Sequence, residues 1–128
     1  QAAIESGWGS SRYLNEGNAI FGQYTFDKKS GIKPKERRDG QKFYVKKFAN
    51  LSESVGSYLK NINTHRAYED FRQERRKLRM NGEDLLGNSL ANYMTNYSER
   101  NIEYVKDIKH LIETNNFMKF DKVEGLMN

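Results

Sequence analysis

The sequence has no cysteine, a single proline and two histidines, and it contains no long apolar run. Without cysteine the protein forms no disulfide, has no thiolate nucleophile and holds no zinc through sulfur, while the compartment stays open. His65 and His110 stand far apart in the chain and give no metal-ligand spacing. No apolar stretch approaches the roughly 20 residues that a membrane-spanning helix needs. We therefore expect neither a metal ion nor membrane insertion.

The composition is that of a small, folded and highly charged protein. Its 128 residues are 36% apolar and 30% charged, which allows one domain with a modest core. Eight tyrosines, seven phenylalanines and one tryptophan indicate a groove lined by rings as well as a core. The net charge of +5 suits an anionic partner such as nucleic acid, a membrane surface or a cell-wall polymer. Because no basic run accompanies a nucleic-acid motif, we expect no nucleic-acid partner.

The first part of the chain alternates short elements with glycine-rich loops. Residues 1–14 have the pattern of a helix end that a pair of glycines terminates. Residues 15–26, NEGNAIFGQYTF, predict a loop followed by a short strand. Residues 31–48, GIKPKERRDGQKFYVKKF, predict a β-hairpin with its turn at Asp39 and Gly40. This hairpin is very basic, which fits either a solvated surface or an arm over an anionic ligand.

The remainder of the chain is expected to be helical. Asn50 with Glu53 three residues later resembles a capping box at the start of the first of these helices. Val55, Tyr58 and Leu59 then recur with Ile62 at helical spacing. Further helices are expected at about 68–80, 84–94 and 101–114, and a tail at 121–128. The predicted fold class is therefore mainly α (α+β).

The opening QAAIESGWGS places Glu5 behind three apolar residues and ahead of a Gly-Trp-Gly element. Desolvation raises the pKa of a carboxyl group, which is how such a group becomes a proton donor near neutral pH. Taken alone, Glu5 is explained as well by a solvated carboxylate on a frayed helix. The rest of the sequence has to decide between these readings.

Four segments together resemble a known family. Residues 2–13, AAIESGWGSSRY, and 17–24, GNAIFGQY, resemble the signature of the bacterial glucosaminidase family, which includes flagellar peptidoglycan hydrolases and Bax-type proteins. Residues 61–72, NINTHRAYEDFR, and 96–108, NYSERNIEYVKDI, resemble the Bax-type branch in particular. The similarity covers nearly the whole chain, from residue 1 to about residue 117.

The resemblance implies a fold, an activity and a place of action. It implies a lysozyme-like helical domain at 1–120, with a small β-hairpin lobe at about 22–48 that flanks a glycan-binding groove. It implies an endo-beta-N-acetylglucosaminidase that cleaves peptidoglycan beta-1,4 bonds on the reducing side of N-acetylglucosamine, without metal or organic cofactor. The expected partner is the peptidoglycan glycan strand. We expect a monomer in the bacterial cell envelope, periplasmic or secreted, although this chain contains no signal segment.

Glycoside hydrolysis needs a protonated carboxyl group and a second group that activates water or stabilises positive charge. Glu5 matches the catalytic glutamate of the family motif, and we assign it as the general acid. The family's second carboxylate lies on the β-lobe, where Glu36 and Asp39 are the candidates and neither is preferred. Asp39 is equally a turn residue, and Glu36 is equally a salt-bridge partner of its basic neighbours. Alternatively, the N-acetyl group of the substrate itself attacks the anomeric carbon.

Tyr97 corresponds to a tyrosine in the late loop that is the family's other active-site marker. Its hydroxyl could position water or support the charge that develops on the sugar. The family's usual Tyr-Ala-Thr-Asp element is altered here, because residues 98–100 are Ser-Glu-Arg. This departure makes Glu99 an outside candidate for a catalytic or binding carboxylate.

Seven residues are candidates for contact with the glycan: Trp8, Asn18, Phe21, Gly22, Tyr24, Asn63 and Tyr68. Trp8 can stack on a sugar ring, although the only tryptophan of a small domain is also a natural core residue. Asn18 can hydrogen-bond an acetamido group, and Gly22 permits close backbone approach. A turn asparagine and a core Phe21 are the alternatives.

Three other functions stay open. A lytic transglycosylase also uses one principal glutamate but leaves an anhydro sugar, and the absence of a clear second acid favours it. A non-catalytic glycan-binding module of the same fold is favoured by the altered element at 98–100. A nucleic-acid binder would explain the positive charge and would show an affinity that falls steeply with salt.

Overall fold

The computed structural model describes residues 1–122, so residues 123–128 of the predicted tail lie outside the described residues. The chain divides into two compact units, Gln1–Asn61 and Ile62–Asn128. Residues 1–122 contain six α-helices, three strands and several short 3-10 helices. The predicted mainly α (α+β) class is therefore confirmed.

The first unit begins with two short helices, α1 at Ala2–Glu5 and α2 at Arg12–Gly17. Ser11 caps α2, because its hydroxyl accepts a hydrogen bond from the N–H of Tyr13 at 3.2 Å. The helix ends at Asn18, whose backbone is left-handed with φ 54° and ψ 23°. The loop predicted at 15–26 is thus wrong for residues 15–17, where the two caps define a helical turn.

A small antiparallel sheet follows, with β1 at Tyr24–Thr25, β2 at Gly31–Ile32 and β3 at Tyr44–Lys46. Its strand order is β1-β3-β2, so β3 is the central strand. Tyr24 and Ile32 both stand opposite Val45, which is 6% exposed. The sheet confirms the strand predicted near residue 24 and the predicted hairpin, which β2 and β3 form.

The turn at Asp39 and Gly40 lies inside the loop at residues 33–43 and does not join the two strands directly. The N–H of Gln41 donates to the carbonyl of Arg38 at 3.1 Å, and Gly40 has a φ of 84°. A positive φ at the third turn residue is the type II arrangement, which glycine permits. The two-residue hairpin connection is therefore wrong, because it needs a positive φ at both central residues and Asp39 does not have one.

Helix α3 at Leu51–Thr64 begins at the predicted cap. The side chain of Asn50 accepts a hydrogen bond from the N–H of Glu53 at 2.9 Å, and the Glu53 carboxylate accepts one from the N–H of Ala49 at 3.2 Å. The fully buried Ser54 hydroxyl accepts the N–H of Ile20 at 3.2 Å, which ties the helix to the segment after α2.

The regular elements in the described part of the second unit are all helices: α4 at Glu69–Met80, α5 at Gly87–Leu90, α6 at Ile102–Thr114, and 3-10 helices at Arg66–Tyr68, Ala91–Tyr93, Thr95–Tyr97 and Phe117–Lys122. The predicted helices at 68–80 and 101–114 are confirmed. The helix predicted at 84–94 starts later and continues as 3-10 turns. The core of this unit is formed mainly by Tyr68, Leu90, Met94, Tyr104, Val105 and Ile108.

Among residues 1–122, no helix has the length and apolar character to cross a membrane.

Candidate functional site

Glu5 is the last residue of α1 and is half-buried behind its apolar turn. Gly22, the last residue of the Asn-x-x-Phe-Gly element, lies directly beside it, since a Cβ placed on Gly22 would stand 3.7 Å from Oε2 of Glu5. Gly22 also has a positive φ of 67°, which favours glycine. The two motif segments that are separate in the sequence therefore meet at one carboxylate, and no side chain on Gly22 obstructs the approach to it.

A left-handed turn follows Glu5. Gly7, Trp8 and Gly9 all have positive φ, at 55°, 57° and 86°. The buried Ser6 holds this turn, because its hydroxyl donates to the carbonyl of Ala2 at 2.7 Å and accepts the N–H of Gly9 at 3.1 Å. A non-glycine residue in this backbone conformation costs on the order of 1–3 kcal/mol, and such residues cluster at functional sites.

Trp8 is 61% exposed. The alternative that this tryptophan belongs to the core is therefore wrong. Trp8 follows Glu5 by three residues in the chain, and its contact with glycan stays a prediction.

Asn18 and Phe21 hold the motif segment in place. The side-chain amide of Asn18 donates to the carbonyl of Phe48 at 3.0 Å. Phe21 is 7% exposed and stacks on Tyr58, with ring centroids 4.0 Å apart and planes at 11°. These contacts support the packing interpretation of both residues, and their contact with glycan stays a prediction.

The β-lobe presents two exposed rings. Tyr24 is 66% exposed and lies against Phe43, with centroids 5.3 Å apart. Phe26, which the sequence interpretation missed, is 78% exposed. The available signal was its position two residues after Tyr24 in the short strand predicted from the sequence, because residues i and i+2 share a face of a strand.

The two candidate second carboxylates are both exposed on the loop at 33–43. Glu36 lines a cavity of about 350 Å³ together with Arg12, Tyr13, Pro34 and Lys35. Asp39 lies in the loop turn described above. Neither forms an ion pair with another residue of the described part of the chain. The salt bridge expected between Glu36 and its basic neighbours is therefore not present there.

In the second unit, Tyr97 belongs to a column of rings. It lies 6.0 Å from the ring of Tyr68 and is stacked on Tyr104 at 5.7 Å with planes 10° apart. Tyr68 and Tyr104 are buried, whereas Tyr97 is half-buried. The column therefore fixes the plane of the Tyr97 ring. Asn63, near the end of α3, is exposed.

The structure thus brings Gly22 beside Glu5 in the first unit, and Tyr68 beside Tyr97 in the second. Within residues 1–122, no three histidine, aspartate or glutamate side chains form a group suited to a metal ion.

Comparisons with known proteins agree with the motif. The chain matches the glucosaminidase family model, described as mannosyl-glycoprotein endo-beta-N-acetylglucosaminidase, over residues 1–117. It is 31% identical over 103 residues to Protein bax of Escherichia coli (strain K12). The aligned segment covers 80% of this chain and 36% of that protein. The chain thus spans little more than a third of that relative. No solved structure matches the chain, so the lysozyme-like architecture and its groove stay predictions. By the extent of the family match, this chain belongs to the glucosaminidase family, whose role is that of a glycosidase.

Proposed function

We propose that the protein is a peptidoglycan hydrolase with endo-beta-N-acetylglucosaminidase activity, in which Glu5 is the general acid. The observation that carries this proposal is that Gly22 lies beside the Glu5 carboxylate. A Cβ placed on Gly22 would be 3.7 Å from Oε2 of Glu5, and glycine leaves that space open. Family membership supports a glycan substrate. The cell wall as substrate and the reducing side of N-acetylglucosamine as the cleavage position belong to the proposal.

The chemistry asked of Glu5 is proton donation to the glycosidic oxygen. Glu5 is half-buried at the end of an apolar helical turn, and a general acid must carry its proton when the substrate is bound. Gly22 supplies backbone without a side chain beside this group, so a bulky sugar ring can approach it. Proton donation weakens the bond to the leaving sugar as positive charge develops at the anomeric carbon.

The second half of the reaction has two routes. In the first, Glu36 or Asp39 guides a water molecule to the anomeric carbon, which requires the loop at 33–43 to bring a carboxylate to the substrate. In the second, the N-acetyl group of the substrate attacks and water then opens the intermediate. The Tyr97 hydroxyl is proposed to support the developing charge in either route.

Exposed rings are proposed to bind the sugars. Trp8 and Tyr24 present faces to solvent, and aromatic faces stack on the apolar faces of sugar rings. Asn63 supplies an exposed amide that can hydrogen-bond an acetamido group. We also propose that residues 1–120 form the catalytic domain and that it acts as a monomer in the bacterial cell envelope.

The test is a digest of purified peptidoglycan by the wild-type protein, by Glu5→Gln and by the control Glu83→Gln, read by mass spectrometry. Glu83 is an exposed carboxylate of the second unit outside the proposed machinery. We expect the wild type and the control to release hydrated fragments ending in reducing N-acetylglucosamine. Glu5→Gln should lose at least about 100-fold in rate, because it has no acidic proton to donate.

Two outcomes would replace the proposal. Fragments ending in anhydro-muramic acid would make the protein a lytic transglycosylase, since only hydrolysis adds water. Binding of the wall by both the wild type and Glu5→Gln, with no fragment released by either, would make it a glycan-binding module.

A further inference from the structure

Positive charge is concentrated in one segment of the first unit. Residues 23–47, called the basic lobe below, contain nine lysines and arginines and three carboxylates, which gives a net charge of +6. The whole protein has a net charge of +5, so the remaining residues together carry a net charge of −1. Like charges gathered in one segment repel each other and reduce stability unless a partner neutralises them.

The lobe's own carboxylates do not neutralise its cations. No lysine or arginine of the basic lobe forms an ion pair with a carboxylate of residues 1–122. Asp27 instead accepts hydrogen bonds from the Ser30 hydroxyl at 2.7 Å and the Lys29 N–H at 3.0 Å, which lower its pKa below the ordinary 3.8. Arg37 stacks on Tyr44 at 5.0 Å and donates to the carbonyl of Phe43 at 3.0 Å.

The base of the lobe contains a concave site. The cavity of about 350 Å³ has two cations, Arg12 and Lys35, one carboxylate, Glu36, and the ring of Tyr13 in its wall. Arg12 donates to the carbonyl of Lys33 at 2.7 Å, and its guanidinium lies 5.0 Å from the ring centroid of Tyr13. Arg12 also forms an ion pair with Glu16 at 3.5 Å. A guanidinium has five N–H donors, so some of its donors remain for a ligand carboxylate after these two contacts.

We propose that the basic lobe binds the carboxylate groups of acidic peptides attached to the glycan, with one peptide residue seated in the cavity. This inference rests on the proposed function, because it takes peptidoglycan, whose glycan carries such peptides, as the substrate. An open concavity with two cations, one carboxylate, a ring and a proline in its wall has room and mixed character for a single amino-acid residue. A nucleic-acid duplex or a lipid surface would instead need an extended or flat face.

The test compares two variants of equal charge. Lys33→Gln/Lys35→Gln/Arg38→Gln removes three exposed cations from the lobe. Arg76→Gln/Lys77→Gln/Arg79→Gln removes three exposed cations from α4 and is the matched control. Circular dichroism confirms that each variant is folded. Binding is measured by co-sedimentation with intact peptidoglycan and with glycan strands stripped of their peptides by an amidase.

We expect the lobe variant to lose about tenfold in affinity for intact peptidoglycan, because three weak charge contacts are removed together. The control should bind as the wild type does. On stripped strands, which lack the carboxylates, the lobe variant should differ from the wild type by less than about twofold. Raising the salt concentration should weaken the binding of intact peptidoglycan only.

Three results would overturn the inference. In the first, the lobe variant binds intact peptidoglycan as tightly as the wild type does. In the second, the lobe variant loses as much affinity for stripped strands as for intact peptidoglycan. In the third, a DNA duplex or vesicles containing phosphatidylglycerol bind more tightly than peptidoglycan, and the lobe variant loses that binding. Failure of the proposed function is a separate observation, because a protein that cleaves neither substrate still gives these sedimentation results.

Discussion

Trp8 lies between two glycines in a turn where all three residues have positive φ. Glycine adopts this backbone freely, whereas any side chain with a Cβ is strained there. The tryptophan is nevertheless exposed, so the free energy gained by burying its ring does not fully offset the strain of its backbone. We infer that the strained residue is retained for its ring, which fits the proposed contact with a sugar.

Trp8→Gly and Trp8→Ala separate the backbone from the ring. Both variants remove the indole, but only alanine keeps a Cβ in the left-handed conformation. We expect Trp8→Gly to have a free energy of unfolding about 1 kcal/mol above that of Trp8→Ala, measured by urea denaturation. Both should raise KM for glycan by roughly fivefold, since a lost ring contact contributes about 1 kcal/mol. Unchanged KM in both variants would show that the ring does not bind substrate.

Among the elements, α2 is packed closely against the β-lobe through a glycine. Gly17 is the buried last residue of α2, and the N–H of Phe48 donates to its carbonyl at 2.8 Å. A Cβ on Gly17 would lie 2.6 Å from Cδ1 of Ile32 and 2.8 Å from Cβ of Lys47. The Cβ of Lys47 cannot rotate away as the end of a flexible side chain could, so the backbone would have to move.

Gly17→Ala should therefore lower the free energy of unfolding by about 1–3 kcal/mol, the usual cost of overpacking. The matched control is Gly56→Ala in the interior of α3, where a Cβ would meet nothing within 4 Å. That substitution should raise stability by about 0.5–1 kcal/mol, because alanine loses less backbone entropy than glycine in a helix. Chemical denaturation measures both. Equal effects of the two substitutions would contradict the packing at Gly17.

The sequence predicts a helix end correctly where neighbouring residues alone determine that end. The Asn50 cap and the stop of α4 before Gly82 need only neighbouring residues, and both are confirmed. The start of α5 depends on a distant contact, since the N–H of Gly87 donates to the carboxylate of Asp121 at 3.1 Å. No pattern near residue 84 contains that information, which is why the helix predicted from there begins too early.

The same distinction applies to the candidate site. The family motif identified Glu5 and Gly22, because it joins sequence segments that fold against one carboxylate. The cavity beside Arg12 was not predicted, because it depends on how α2 meets the loop at 33–43. A sequence motif therefore identifies the candidate catalytic residues, whereas a cavity that forms between packed segments is found only from the three-dimensional structure.

At the scale of the whole molecule, the two units differ in charge. Residues 1–61 contain eleven cationic and six anionic side chains, whereas residues 62–128 contain eleven of each. The entire net charge is therefore carried by the unit that contains Glu5 and the basic lobe. An anionic wall would attract this unit first, and the attraction would be screened by salt.

Two residues are proposed to act in the reaction, Glu5 of the first unit and Tyr97 of the second. Tyr97→Phe removes the hydroxyl but keeps the ring that stacks on Tyr104. If the hydroxyl supports the same transition state that Glu5 protonates, we expect Tyr97→Phe to lower kcat by about tenfold to 100-fold with little change in KM.

A double-mutant cycle decides whether the two residues serve one step. In the Glu5→Gln background, Tyr97→Phe should cause little further loss of kcat, because residues that act as a unit are not additive. Tyr93→Phe, an exposed tyrosine of the same unit, is the control and should leave kcat unchanged in both backgrounds. Equal losses from Tyr97→Phe with and without Glu5 would mean that the hydroxyl acts independently. No loss of kcat from Tyr97→Phe in either background would instead mean that Tyr97 contributes only through its ring, which stacks on Tyr104, and the proposed chemistry would then rest on the first unit alone.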